Sequence, residues 1–226
     1  MSTSLKLCDP GAARDLDTFL GRAAAVQDGS ARLIADAGVL AVYVPVLFPT
    51  SLLDDSATVL GLRTFAIADA GLALDAIVPM ASLRSRVQAS AAAGDDVEVG
   101  VPLPVYSVSW AGIAPPRSGW VRLERAVPSE ALATAAAAGM REVAEALPDN
   151  PGEAIVRQVR GAVWGEPIEG AEALPRGAAF AAQSLGFLPP DGEHEDGELF
   201  EIGPWTRLSL RRGHVLVKRR SWSLAR

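Results

Sequence analysis

Residues 31–78 read ARLIADAGVLAVYVPVLFPTSLLDDSATVLGLRTFAIADAGLALDAIV, and this stretch decides the fold class. It contains four apolar runs, at residues 31–36, 39–48, 57–69 and 72–78. Turn-forming residues separate the runs, and two of the separators end in glycine, at Gly38 and Gly71. Short connections that end in glycine are typical of antiparallel hairpins. The pattern therefore predicts an antiparallel β-meander of four strands.

Helical patterns flank this meander. Asp9 followed by Pro10 is a typical helix start, because aspartate caps the first turn and proline suits its first position. Apolar residues at helical spacing then predict a helix over residues 10–26. They are Leu16, Phe19, Leu20 and Ala23. Pro79 opens a second, shorter helix that ends near residue 91.

The C-terminal part of the chain is predicted to be helical first and to end in a hairpin. Apolar periodicity predicts helices over residues 129–147, from residue 151 onwards and over 175–185. Asn150-Pro151-Gly152-Glu153 is a capping pattern for the second of these helices. Two strands, at residues 205–210 and 214–219, are joined at Arg212-Gly213. The fold class is therefore α+β: an antiparallel β-meander with flanking helices, then a three-helix segment and a C-terminal β-hairpin.

A division of the chain is expected near residue 126. Residues 1–126 would form the β-meander region, and residues 127–226 would form the helical region with the C-terminal hairpin. No clear linker separates the two regions, so one continuous domain is the alternative.

The composition is that of a globular protein. Hydrophobic residues make up 49% and charged residues 21% of the 226 residues, which excludes a disordered chain. Cys8 is the only cysteine, so no disulfide forms within the chain and a reducing cytoplasm is expected. The most apolar run has ten residues, whereas a membrane helix needs roughly 20. The first residues show no targeting pattern. We therefore expect a soluble, cytoplasmic protein without membrane contact.

Recognisable catalytic chemistry is missing from the sequence. His194 and His214 are not spaced as metal ligands, and no phosphate-binding loop, nucleophile elbow or zinc-peptidase motif is present. The acidic runs at residues 54–55 and 193–196 suit a turn and a solvated loop, because neighbouring loop side chains rarely converge on one ion. We therefore predict no catalytic residue, no cofactor and no metal. This favours a non-enzyme without excluding an unfamiliar active site.

Three aromatic residues lie in or directly after a proline-rich stretch at residues 100–119. Tyr106, Trp110 and Trp120 either line a groove for a peptide or anchor this irregular stretch on the sheet. Anchoring is favoured, because a chain with only 6% aromatic residues needs its large side chains in the core.

Charge is distributed unevenly along the chain. All 27 acidic residues lie at or before Glu201, and seven basic residues follow it. We therefore predict that the C-terminal basic residues contact nucleic acid or an acidic protein surface. The candidates are Arg207, Arg211, Arg212, Lys218, Arg219 and Arg220.

Three helices followed by a hairpin is the order of a winged helix-turn-helix, in which the third helix enters the major groove. The helix over residues 175–185 is rich in alanine, however, and offers few side chains that read bases. The acidic remainder of the chain also repels a polyanion. Docking of the basic hairpin on the acidic body of this chain or of a partner is therefore favoured over DNA binding.

Several short motifs resemble a family of uncharacterised proteins from high-GC actinobacteria. They are the apolar meander, Trp110 with Pro115-Pro116, Gly119-Trp120, Val127-Pro128 before an alanine-rich helix, and Leu185-Gly186-Phe187-Leu188 before the Trp205 hairpin. That family has no assigned activity. The resemblance therefore implies a bacterial cytoplasmic setting and supplies no site residue or cofactor.

Missing chemistry and opposite charges at the two ends of the chain point to one function class. The sequence predicts a non-catalytic binding or scaffold protein that acts through a protein partner or by self-association. A degenerate winged-helix protein that binds nucleic acid through the basic hairpin is the alternative.

Overall fold

The computed structural model describes residues 3–50, 54, 56–94, 97–106, 108–112 and 115–219 of the protein. The chain forms two compact units: the first comprises Met1–Pro45 and Leu62–Gly112, and the second comprises Val46–Gly61 and Ile113–Arg226. The predicted α+β class is confirmed, since the described residues form five α-helices and twelve strands, and the strand pairs are antiparallel. The predicted division near residue 126 stays a prediction.

The first unit combines two helices with short antiparallel sheets. Strand β2 pairs with β3 and with β5, and β1 pairs with β6. Strands β3 and β4 contribute residues to both units. The elements in chain order are β1 (Ser4–Lys6), α1 (Pro10–Val26), β2 (Ser30–Asp36), β3 (Val39–Leu47), β4 (Thr58–Ala66), β5 (Leu74–Pro79), α2 (Met80–Ala93), β6 (Glu98–Gly100) and a 3₁₀ turn (Ser109–Gly112).

Helix α1 has the bounds that the sequence predicts. The Asp9 carboxylate accepts a hydrogen bond from the Ala12 N–H at 2.8 Å, and Pro10 occupies the first helical position. The predicted apolar face is buried, namely Leu16, Phe19, Leu20 and Ala23. Local capping chemistry and helical periodicity are therefore sufficient to place this element.

The strand order of the first unit differs from a simple meander. Ala70-Gly71 predicts a hairpin between the third and fourth strands, but β5 pairs with β2, with Leu33 opposite Ala76. Arg32 and Asp75 support this pairing through two hydrogen bonds of 2.8 Å, one to each carboxylate oxygen. Turn residues show where the chain reverses, whereas cross-strand side-chain contacts decide which strand it joins.

The β2–β3 hairpin is confirmed at Ala37 and Gly38. Both residues have positive φ, 48° at Ala37 and 80° at Gly38, as a two-residue type I′ turn requires. The Gly38 carbonyl accepts a hydrogen bond from the Ile67 N–H at 2.9 Å. The turn thus fixes the register in which Asp36 faces Val39.

The second unit combines three helices with an antiparallel sheet of order β12-β11-β10-β7. Helix α3 contacts α4 and α5, and α5 contacts β12. None of the helices that the described residues form is long and apolar enough to cross a bilayer. The elements in chain order are β7 (Val121–Pro128), α3 (Ser129–Ala146), α4 (Glu153–Gly165), β8 (Pro167–Ile168), β9 (Ala171–Pro175), α5 (Arg176–Ser184), β10 (Asp196–Ile202), β11 (Trp205–Leu210) and β12 (Gly213–Lys218).

Helix α4 begins later than the sequence predicts. Asn150 has φ 53°, in the left-handed region, so it does not cap the helix. Gly152 is the N-cap residue, without a side-chain hydrogen bond, and the helix starts at Glu153. Strands β1, β6, β8, β9 and β10 are additions to the prediction.

The structure does not support the winged-helix alternative. Four alanines of α5 are fully buried, namely Ala178, Ala179, Ala181 and Ala182. The polar side chains that remain at its surface are Arg176, Gln183 and Ser184, which are few for a helix that reads bases. Strand β11 pairs with β12 on one side and with β10 on the other, and β10 also pairs with β7. The basic hairpin is therefore part of a larger sheet, whereas a wing flanks an exposed recognition helix.

Candidate functional site

A groove of about 960 Å³ lies in the second unit. One of its sides is formed by α4. The other sides are formed by the segment that precedes β4, by the region of β8 and β9, and by Arg219. A concave site of this size is the usual place for a ligand or a partner segment to bind.

The α4 side of the groove consists mainly of small residues at helical spacing. They are Ala154, Gly161, Ala162 and Gly165. An added Cβ at Gly161 would lie 3.1 Å from the Ser56 Oγ, so glycine allows this loop residue to lie close to the helix. Val163 and Trp164, which lie on another side of α4, are buried. The helix is therefore fixed by its large residues and offers its small ones to the groove.

Asp54 organises the loop side of the groove. Its carboxylate accepts hydrogen bonds from the Thr50 N–H at 2.9 Å, the Ser56 N–H at 3.0 Å and the Thr50 hydroxyl at 3.3 Å. Partial burial acts to raise the pKa of Asp54, but the hydrogen bonds from Ser56 and Thr50 outweigh it and hold the pKa below its ordinary value. Asp54 therefore has the predicted turn role. Asp55 lies outside the described residues.

The remaining charged side chains of the groove are each paired within the second unit. The pairs are Arg157–Glu153 at 3.2 Å, Glu166–Arg176 at 3.0 Å, Glu172–Arg125 at 3.2 Å and Arg219–Glu201 at 2.7 Å. Neither histidine nor cysteine is among the lining residues that the structure describes. The charged groups of the groove are therefore each engaged within the second unit, and they lie among small side chains and the uncharged amide of Gln158.

The predicted basic residues of the hairpin are engaged in different ways. The guanidinium of Arg207 lies between two rings, 4.8 Å from the centroid of Trp120 and 4.3 Å from that of Phe200. This is cation–π geometry, and it holds the charge of Arg207 against its own sheet.

Two further arginines of the predicted set contact acidic residues of the second unit. The Arg211 N–H donates to the Glu195 carboxylate at 2.6 Å, and its side chain lies 3.6 Å from Glu195 and 3.8 Å from Glu193. Arg219 pairs with Glu201 and donates to the Thr206 hydroxyl at 3.1 Å. Part of the basic charge thus meets acidic residues of its own chain.

Apart from Arg207, which lies within β11, the described basic residues of the set fall into two groups along the hairpin. Arg211 and Arg212 lie in the turn before β12, whereas Lys218 and Arg219 lie at its far end. A strand of this length separates the two groups by about 17 Å. Arg220 lies outside the described residues. The structure therefore brings neighbours together in pairs and does not bring the described members of the set into one cluster.

His214 of β12 makes stability dependent on pH. It is half-buried, and its Nδ1 lies 3.0 Å from the Ser209 hydroxyl. Burial lowers the pKa of His214 below its ordinary value of 6.5, and the nearby charge of Arg207 lowers it further. The unfolded chain therefore binds more protons than the folded protein between the lowered pKa and 6.5. The contribution of His214 to the free energy of unfolding is therefore greatest above this window and is lost as the pH decreases through it.

We expect the urea midpoint of the protein to be lower at pH 5.5 than at pH 7.5 and this difference to shrink in a His214→Gln variant. A His194→Gln variant leaves the half-buried imidazole of His214 in place and serves as a comparison for the loss of a histidine that pairs with Glu130. An unchanged pH difference in the His214→Gln variant would show that other groups cause the acid sensitivity.

The acidic loop before β10 caps α3 and provides no metal site. The Glu195 N–H donates to the Ser129 Oγ at 3.2 Å, and the Ser129 N–H donates to the Glu195 carbonyl at 2.8 Å. His194 contacts the Glu130 carboxylate. Among the described residues, no group of three or more His, Cys, Asp or Glu side chains could hold a metal ion.

Two of the three aromatic residues are anchors, as the sequence predicts. Trp110 is only 7% exposed, and the Trp120 Nε1 donates to the Pro116 carbonyl at 2.9 Å while its ring covers Arg207. The prediction is wrong for Tyr106, whose side chain is 90% exposed.

Sequence reasoning missed the groove. The signal on α4 was available, because alanine and glycine recur on one side of a helix whose other residues are larger. The loop around Asp54 is about 100 residues away in the chain, however, and no local pattern indicates that it lies beside this helix.

Two family models match the chain, one over each half. Residues 1–112 match a domain of unknown function (DUF8010), and residues 115–222 match another domain of unknown function (DUF8185). These matches confirm the resemblance to a family without an assigned function, while its actinobacterial origin stays a prediction. No curated protein sequence matches the chain.

The fold is similar to that of DNA polymerase sliding clamps. Pol III beta of Caulobacter crescentus is 14% identical, with a TM-score of 0.50, over 98% of this chain and 66% of that chain. A sliding clamp of the same organism has a TM-score of 0.49 at 15% identity, over 99% and 67% of the two chains. For a ligand-bound clamp of Pseudomonas aeruginosa the values are 0.48 and 12%, over 99% and 66%. The chain thus spans about two thirds of these proteins, and at such identities the likeness concerns the fold alone.

Proposed function

We propose that the protein is a non-catalytic binding or scaffold protein that holds an extended segment of a partner protein in the α4 groove. The observation that carries this proposal is the groove of about 960 Å³ whose charged residues are paired or hydrogen-bonded within the protein. A surface with paired charges and small side chains can bind a partner through complementary shape and apolar contacts.

The chemistry of the groove favours an uncharged polypeptide segment as its occupant. A charged ligand would have to compete with ion pairs such as Arg157–Glu153 and Arg219–Glu201, in which the arginines already have carboxylate partners. An extended segment instead fills the shallow spaces above Ala154 and Ala162 with alternate side chains. Its backbone amides are suitable partners for the side-chain amide of Gln158.

Filling the groove should abolish this binding. We expect a library of phage-displayed peptides to yield uncharged sequences that bind the purified protein, as measured by fluorescence polarisation of the labelled peptide. An Ala162→Trp variant should bind at least about tenfold more weakly, because the indole occupies the space of the peptide.

Ile155→Trp is the matched control, since Ile155 is an exposed residue of the same helix that does not line the groove. It should bind the peptide as the wild type does. Failure of the library to yield any binding sequence, or equal binding by Ala162→Trp and the wild type, would contradict the proposal. A circular dichroism spectrum of each variant establishes that both remain folded.

The uneven charge of the C-terminal residues supports a second candidate, contact with nucleic acid or an acidic partner. It would use Arg207, Arg211, Arg212, Lys218, Arg219 and Arg220. The pairing of Arg211 and Arg219 with acidic residues weakens this candidate, because those contacts compete with phosphates. DNA binding at 50 mM salt that is lost steeply at higher salt would support it, and no binding at 50 mM salt would exclude it.

A further inference from the structure

Residues 101–106, VPLPVY, form an uncharged, extended segment of the first unit. They follow β6 and precede the 3₁₀ turn Ser109–Gly112. No charged residue occurs from Val99 to Pro116, although 21% of the chain is charged. The segment belongs to the first unit, whereas the α4 groove is lined by residues of the second unit.

Residues three apart in this segment have similar burial in two of the three pairs, whereas Val101 is half-buried and Pro104 is exposed. Pro102 is buried and Val105 is half-buried, whereas Leu103 is 85% and Tyr106 is 90% exposed. A polyproline II helix has three residues per turn, so residues three apart lie on the same side. Prolines at positions 102 and 104 fix their own φ and favour extended conformations at the residues before them. Leu103 and Tyr106 are thus presented together, away from the protein.

Hydrogen bonds fix the backbone of the segment on the first unit. The Val101 N–H donates to the Thr3 carbonyl and the Val105 N–H donates to the Ile77 carbonyl, each at 2.8 Å. The Arg86 guanidinium donates to the carbonyls of Gly100 and Val101, both at 3.1 Å. The segment is therefore held in place before any partner arrives.

The chain that follows the segment is anchored as well. Trp110 is buried, and the Ala111 carbonyl accepts a hydrogen bond of 3.1 Å from Arg32, which also pairs with Asp75. A segment held in this way loses little conformational entropy on binding, since most of the ordering cost is met when the unit folds.

The exposure of Leu103 and Tyr106 has no explanation within the first unit. Among the described residues, the next most exposed large apolar side chain is Val121, at 65%. Rigid, uncharged polyproline II segments are bound by grooves lined with aromatic side chains, which pack against prolines and the apolar residues beside them. An aromatic residue with an exposed hydroxyl, such as Tyr106, is also a frequent hot spot of protein interfaces.

We propose that residues 101–106 are a docking element that a partner protein binds in an apolar groove lined with aromatic side chains, with Leu103 and Tyr106 as the two anchors. The proposal goes beyond the α4 groove and does not depend on it.

Site-specific photo-cross-linking of the full chain in its native host tests this proposal. Replacing Tyr106 with p-benzoylphenylalanine should give one discrete adduct on irradiation, and the same replacement at Val121 should not. The adduct protein is identified by mass spectrometry and purified, and its binding to the full chain is then measured by calorimetry.

The double variant Leu103→Ser/Tyr106→Ser should bind this partner at least about tenfold more weakly than the wild type, as expected when interface anchors are truncated. Tyr106→Phe and the control Val121→Ser should bind within about threefold of the wild type, because the aromatic contact and the fold are retained. Absence of an adduct, an adduct only with a second copy of this chain, or wild-type affinity of the double variant would each overturn the proposal. The Ala162→Trp variant should keep this interaction, so a failure here is distinct from a failure of the proposed function.

Discussion

Gly213→Ala is expected to lower the free energy of unfolding by about 2–3 kcal/mol, because the added methyl group overpacks the core of the second unit. Its Cβ would lie 2.4 Å from Cε1 of Phe187 and 2.6 Å from both Cδ1 and Cζ. The Phe187 ring is fully buried, so it has no open space into which to move. Glycine at the start of β12 is therefore required by the ring that packs on it.

Urea unfolding followed by tryptophan fluorescence measures this loss. A second substitution, Phe187→Leu, should restore part of the stability of Gly213→Ala, since it removes the ring that the methyl group meets. Gly165→Ala is the matched control, because nothing lies within 4 Å of an added Cβ at that position. Equal urea midpoints for Gly213→Ala and Gly165→Ala would show that the ring adjusts without cost.

Gly139→Ala should destabilise the second unit by about 2 kcal/mol and should also weaken peptide binding in the α4 groove. An added Cβ at Gly139 would lie 2.3 Å from Cζ3 and 2.8 Å from Cη2 of Trp164. Trp164 is 3% exposed and is stacked on Phe180 with 4.5 Å between the ring centroids. The substitution therefore has to displace the indole or move α4 away from α3, and α4 forms one side of the groove.

The sign of the stability change on Gly139→Ala shows whether the contact between α3 and the indole of Trp164 is tight. Alanine is a better helix former than glycine by about 1 kcal/mol, so a helix without the indole contact would gain stability from the same substitution. We expect the sign to reverse in a Trp164→Leu background, where Gly139→Ala should become neutral or stabilising. A stabilising Gly139→Ala in the otherwise unchanged protein would mean that the α3–α4 contact is looser than the structure shows.

The elements that the sequence predicts well are those with local signals. The Asp9 cap and the periodic apolar face determine α1, and Ala37-Gly38 determines the β2–β3 hairpin. The position of β5 beside β2 depends on cross-strand contacts such as Arg32–Asp75, which join residues 43 positions apart. No turn residue carries that information.

The candidate sites likewise combine features that the sequence shows locally with contacts between distant residues. Counting charges along the chain correctly locates the basic C-terminal segment, but it does not reveal that Arg211 meets Glu195 or that Arg207 lies between two rings. Both contacts depend on strand pairing within the second unit. Whether a side chain is exposed also depends on residues that are distant in the chain. The low aromatic content therefore predicts a buried Tyr106, whereas the fold leaves it exposed to solvent.

The boundaries of the two compact units differ from those of the two family matches. Residues 46–61 fall within the first family match, which covers residues 1–112, yet they belong to the second compact unit. Thr50, Asp54 and Ser56, which line the α4 groove, lie in this interval. A recombination event that transferred only the gene segment for the second match would leave these residues behind. A complete groove therefore requires residues from both family matches in one chain.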